Sequence, residues 1–120
     1  MTKAEDLGIR VSHVGIATAS DEDYENATKL LSTMLGTEVM ETPVSRMIGD
    51  QIELMKPTQD SRNHIAVHVD DMPAAERHFT NLGFKIDESR RRLAEDGSGA
   101  THLVYLEGTI AGFEVHLTTD

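Results

Sequence analysis

The feature that most limits how this chain can fold is a phrase written twice. "HVGIAT" begins at His13 and "HIAVHV" begins at His64. Each opens on a histidine and runs on in small and β-branched apolar residues. Each is then followed by an acidic cluster, an amphipathic run and the pair Leu-Gly. Residues 11–17 have the composition of a strand. In "SDEDYENATKLLSTMLG" the apolar positions are Tyr24, Ala27, Leu30, Leu31, Met34 and Leu35, the spacing of one helix face. Ser20 suits the N-cap, the acidic residues behind it suit the helix dipole, and Gly36 suits the C-terminal cap. "TEVMETPV", "SRMIG" and "DQIELMKP" then read as three short strands.

The second half follows the same order. "HIAVHVDD" is a strand, and "MPAAERHFTNLG" is a helix with Met72, Ala75, Phe79 and Leu82 on one stripe. "FKIDESRRRLA", "THLVYLEG" and "GFEVHLTT" supply three more strands. The chain therefore reads as one domain over residues 1–120, made of two βαβββ modules at about 10–57 and about 63–119. The polar "TQDSRN" joins them. A module this short cannot bury its own sheet face, so each needs the other, or another chain, as cover.

Alternation along the strands decides where the polar side chains go. His13, Gly15 and Ala17 share one face, opposite Val14 and Ile16. His64, Ala66 and His68 share a face opposite Ile65, Val67 and Val69. Gln51, Glu53 and Met55 lie opposite Ile52 and Leu54, while Glu114, His116 and Thr118 lie opposite Phe113, Val115 and Leu117. The branched apolar faces belong under the helices. On the other face, His13, Glu53, His64 and His116 are metal-competent groups. Imidazole and carboxylate suit Zn, Fe, Ni, Co or Mn, and a chain without cysteine has no thiolate to offer a softer ion.

A formal net charge of −10 disfavours nucleic acid, whose binding depends on neutralising phosphates. The run Arg90-Arg91-Arg92 is too small to reverse this and reads as a solvated edge, the alternative being a local grip on one anionic ligand. No stretch reaches the ~18 apolar residues of a membrane span, and "MTKAEDLGIR" is too polar for a secretory signal. The cytoplasm is the expected location. His68 reads as a hydrogen-bonded core histidine, His78 as a helix-flank residue and His102 as solvent-facing.

The pieces "HVGIA", "QIELMKP", "NHIAVHVDD" and "AGFEVHLTT", spread over residues 11–119, resemble the vicinal oxygen chelate superfamily. That superfamily includes glyoxalase I, methylmalonyl-CoA epimerase, extradiol dioxygenases and bleomycin resistance proteins. The resemblance implies an α+β fold with a cupped, largely antiparallel eight-stranded sheet and helices on the outer face. It also implies one divalent metal ion per site, held by His13, Glu53, His64 and His116. His116 stands where glyoxalase I and the epimerases usually carry glutamate. "EGTIAG" replaces their usual Asp-Pro-Asp-Gly turn, and the stretch between Glu38 and Gln51 is short for the family.

The chemistry implied is that of a lyase or isomerase. A small carbonyl substrate, anionic ones included, chelates the metal, which stabilises an enolate. Glu53 or Glu114 moves the proton, Glu114 lying about 6–7 Å along its strand from His116. Two alternatives use the same fold: a non-haem Fe(II) dioxygenase, and a metal-free ligand-binding or resistance protein. Aromatics at 4% and the absence of tryptophan make a poor stacking groove for the latter. A metal- or metabolite-sensing module is a further option. Family members commonly dimerise, so a homodimer is expected.

Overall fold

The structure is a computed structural model describing residues 3–58 and 60–120. The parts of "MTKAEDLGIR" and "TQDSRN" that fall on Met1, Thr2 and Gln59 lie outside the described residues. The chain divides into two compact units. One is His13–His64, and the other is Ile65–Asp120 together with the segment ending at Ser12.

In the first unit β1 (Arg10–Ala17) leads into α1 (Asp21–Leu35), β2 (Val39–Glu41), β3 (Ser45–Ile48) and β4 (Ile52–Met55). Hydrogen-bond order is β2-β3-β4-β1. Two tight turns make β2–β3 and β3–β4 antiparallel, and the helical crossover leaves β4 parallel to β1. Pairing is therefore mixed. The Ser20 side chain accepts the backbone N–H of Asp23 at 3.1 Å, and Gly36 takes the left-handed conformation that ends α1, φ 63°. Tyr24, Ile48 and Leu54 are buried, with Ile16, Ala27, Leu31 and Ile52 packed around them. The apolar stripe of α1 is narrower than its spacing implies: Leu30, Met34 and Leu35 are exposed. β2 is three residues long and exposed throughout, so it offers the last turns of the helix nothing to cover.

The second unit holds β5 (His64–His68) from Ile65 onward, α2 (Met72–Asn81), β6 (Ile86–Leu93), β7 (Thr101–Leu106) and β8 (Glu114–Thr118), in hydrogen-bond order β5-β8-β7-β6. The Asp71 carboxylate caps α2 by accepting the Ala74 N–H at 3.1 Å, with Pro73 in the first turn. Met72, Ala75 and Phe79 face a core of Val69, Val104, Leu106, Val115 and Leu117, while Leu82 lies beyond the helix end and is exposed. A short 3-10 helix, Ala4–Leu7, precedes β1 and has no counterpart in the sequence reading. Its Leu7 carbonyl accepts the Asp70 N–H at 3.1 Å, and Ile9 joins the core.

Among the described residues the fold is thus α+β, with eight strands and two α-helices in the repeated order read from the sequence. Among the described residues no helix is long and apolar enough to cross a membrane.

Candidate metal centre

The parallel register sets Gly15 beside Glu53 and Ala17 beside Met55. Ile16, Ile52 and Leu54 therefore enter the α1 core, and the opposite face carries His13, Gly15 and Glu53. His64, the first residue of β5, completes a cluster on that face. Its Nε2 lies 3.0 Å from Glu53 Oε1, and His13 Nε2 lies 3.3 Å from the same oxygen. The two imidazoles meet edge to face with ring centroids 5.5 Å apart.

Gly15 makes this approach possible. A Cβ built there would lie 2.0 Å from His64 Cε1 and 2.4 Å from its Nε2, so the ring occupies the space a side chain would need. The far side of His64 is oriented by a 3.3 Å contact between Nδ1 and the Arg62 carbonyl. One residue earlier, the Asn63 side-chain oxygen accepts the Ala17 N–H at 2.8 Å and ties the segment to the end of β1.

Glu53 is mostly buried and fully engaged. Ser45 Oγ–H donates to its Oε2 at 2.8 Å. The imidazole of His13, then that of His64, with help from Ser45, hold its carboxyl well below the usual carboxylate range, against the opposing effect of burial.

The donor set suits a divalent ion. One carboxylate oxygen and two imidazole nitrogens lie within 4.8 Å of one another. Two ligands at ~2.1 Å from one ion in tetrahedral array are ~3.4 Å apart, close to the 3.3 and 3.0 Å that separate His13 and His64 from Glu53 Oε1. An imidazole whose second nitrogen meets a backbone carbonyl, as in His64, is how metal-bound histidines are usually held.

The remaining candidates belong to the second unit. His116 is buried on β8 in the other unit, its ring 5.0 Å from that of Tyr105. Glu114, on the same strand, takes a 2.7 Å hydrogen bond from Arg90 Nη2 to its Oε2. Arg90 also lies 3.8 Å over the Tyr105 ring and pairs with Asp87 at 3.2 Å. Arg91 is bound by Glu76, Glu88 and Thr101, so two of the three clustered arginines are tied to carboxylates of this chain. His68 is buried, bonded to Asp70 at 2.7 Å and to the Asp120 carbonyl at 2.6 Å. His102 meets Thr119 and Asp120, and His78 meets the Phe79 ring edge to face. Sequence reasoning passed over Ser45, Asn63 and the reason for Gly15. The one available signal was a glycine inside an otherwise branched strand, which often marks a close approach.

This fold is shared with solved proteins of the vicinal oxygen chelate type, the fold that the repeated motifs implied. Among solved structures, methylmalonyl-CoA epimerase from Streptomyces coelicolor, in complex with 2-nitronate-propionyl-CoA, matches with a TM-score of 0.61. It is 20% identical over 90% of this chain and 92% of that one. The methylmalonyl-CoA epimerase of Mycobacterium tuberculosis matches with a TM-score of 0.60, 18% identical over 90% of this chain and 85% of that one. A hypothetical protein from Bacillus halodurans also gives 0.60, 17% identical over 92% and 93%. No family model and no curated protein matches the sequence.

Proposed function

We propose that this chain is a metal-dependent isomerase or lyase of the epimerase kind, acting on a small carbonyl substrate. The observation that carries the reading is the convergence of His13 and His64 on one oxygen of Glu53. An α-substituted acyl-CoA thioester is the substrate class to try first, because the epimerases that share the fold act on one.

His13, Glu53 and His64 would hold the ion. When bound, a divalent cation supplies Lewis acidity, polarising a carbonyl oxygen so that a proton leaves the adjacent carbon more readily. Glu53 serves as a ligand better than as a base, because a carboxylate held so far below neutrality has little drive to take a proton. Glu114 is the other candidate for moving the proton, as read from the sequence. Its Arg90 partner engages Oε2, and Glu114→Gln should lower turnover with metal content unchanged. The reading includes a homodimer, on the strength of the family resemblance alone, and a cytoplasmic location, as expected from the sequence.

Metal analysis of protein purified without chelators tests the reading, beside His13→Ala, Glu53→Ala and His64→Ala. About one ion per chain, lost in the variants while circular dichroism is retained, is the expected result. Deuterium uptake at the α-carbon of methylmalonyl-CoA would then follow turnover. A chain that takes up none of Zn, Ni, Co, Fe or Mn on reloading sinks the proposal.

Two histidines and one carboxylate are also the ligand set of non-haem Fe(II) oxygenases, and this composition favours a dioxygenase as the second reading. Oxygen consumption by the anaerobically Fe(II)-loaded protein, given a catechol, separates the two.

A further inference from the structure

The turn between β2 and β3 leads into the metal-competent cluster through two hydroxyl groups. Thr42 Oγ1 accepts the backbone N–H of Val44 at 3.2 Å and that of Ser45 at 2.9 Å. It lies 2.8 Å from Ser45 Oγ, which is 2.8 Å from Glu53 Oε2. Chemistry fixes the direction of this chain. An ionised carboxylate can only accept, so Ser45 gives its single proton to Oε2, and its oxygen accepts in turn from the Thr42 hydroxyl, which shares its proton with the Ser45 carbonyl at 3.2 Å. Each link polarises the next. Ser45 is 0% exposed, so water does not compete for the last one.

The turn does not need that last bond. Thr42 N–H already donates to the Ser45 carbonyl at 2.9 Å, and Thr42 Oγ1 takes two backbone N–H groups. The Ser45 hydroxyl is therefore available for orienting Glu53. A carboxylate bound at both ends keeps Oε1 toward the imidazoles; one released at Oε2 is free to rotate and offer both oxygens to an ion.

We infer that Ser45, backed by Thr42, is a positioning residue that confines Glu53 to ligation through Oε1 alone. This keeps coordination positions open for two oxygens of a substrate. The inference rests on the metal-centre reading above.

Titration of the metal-free full chain with Co(II) tests it, reading affinity and the visible absorption of the bound ion. Four proteins are compared: the unaltered chain, Ser45→Ala, Ser45→Thr and Thr42→Val. Ser45→Ala should weaken binding ~10–100-fold, the usual effect of removing an outer partner of a metal ligand. Its visible band should also lose intensity per ion, because a second carboxylate oxygen raises the coordination number. Thr42→Val should move both readings the same way but less, and Ser45→Thr should restore them. Ser45→Ala binding within about twofold of the unaltered chain overturns the inference. So does weaker binding with an unchanged band, which a loosened turn alone would produce. Should Ser45→Ala not fold, Thr42→Val decides by the same pair of readings. A chain that takes no Co(II) at all overturns the metal-centre reading itself, and this inference with it.

Discussion

Gly15 builds part of the site by having nothing to project. The His64 ring lies where a side chain at residue 15 would be, and the nearest contact, 2.0 Å to Cε1, is far inside van der Waals distance. Gly15→Ala must therefore turn the ring away from Glu53. The expected result is at least a ~10-fold loss of metal affinity and about 1–3 kcal/mol of stability, read by a binding isotherm and by denaturant unfolding. Undiminished affinity in this variant would mean that His64 is not a ligand.

Glu53 makes a separate prediction. Folding lowers its carboxyl below the ordinary value of 4.5. The stability this contributes is present above that value and lost as pH falls through the lower, folded one. The metal-free protein should therefore weaken progressively below about pH 4.5. Its advantage over Glu53→Gln should be widest near neutrality and close in acid. An advantage of equal size at neutral and acid pH would exclude the carboxylate's charge as its source.

Strand alternation alone puts His13 and Glu53 on one face, since Ile16, Ile52 and Leu54 must enter the core. Ser45 was not legible in this way. A serine opening a short strand looks like any turn residue until the β3–β4 register, which pairs it with Met55, sets its hydroxyl diagonally within reach of Glu53.

At the scale of elements, caps and periodicity carried most of the information. α1 begins at Ser20 because that side chain meets the Asp23 N–H, and Asp23 in turn accepts the Ala19 N–H at 2.9 Å. Ser20→Ala should cost about 1 kcal/mol and Ser20→Gly only a few tenths, measured by denaturant unfolding. Equal effects of the two would assign the loss to backbone propensity, not to the cap. Both helices and all eight strands were legible in order because periods of 2 and 3.6 alternate clearly along the chain. The width of the α1 stripe was not. Periodicity reports which residues share a face, but only the neighbouring strands decide how much of that face is covered, and Met34 is left exposed. The 3-10 helix at Ala4–Leu7 escaped for another reason. Four residues are too few to show a period, and the turn is held by the distant Asp70 N–H.

For the whole molecule, charge and metal binding must be separated. With 21 acidic residues against 11 basic ones, the chain attracts any divalent cation non-specifically. A specific centre differs in being local and in preferring nitrogen donors. All three proposed ligands lie within His13–His64, so the ion would join β1, β4 and the first residue of β5. At a hundred times its Kd, a ligand bound only by the folded form adds ~2.7 kcal/mol. Native-state hydrogen exchange can say where that stabilisation falls. Zn(II) should slow exchange of β1 and β4 amides by up to ~100-fold. Amides of α2 and β6 that exchange by openings of their own unit should be untouched. Mg(II), which prefers an oxygen shell, should reproduce neither effect at the same concentration. Equal slowing in both units would show that the chain opens as one cooperative body. If β1 and β4 respond no more to Zn(II) than to Mg(II), the ion is only neutralising surface charge, and the three side chains are not a metal centre.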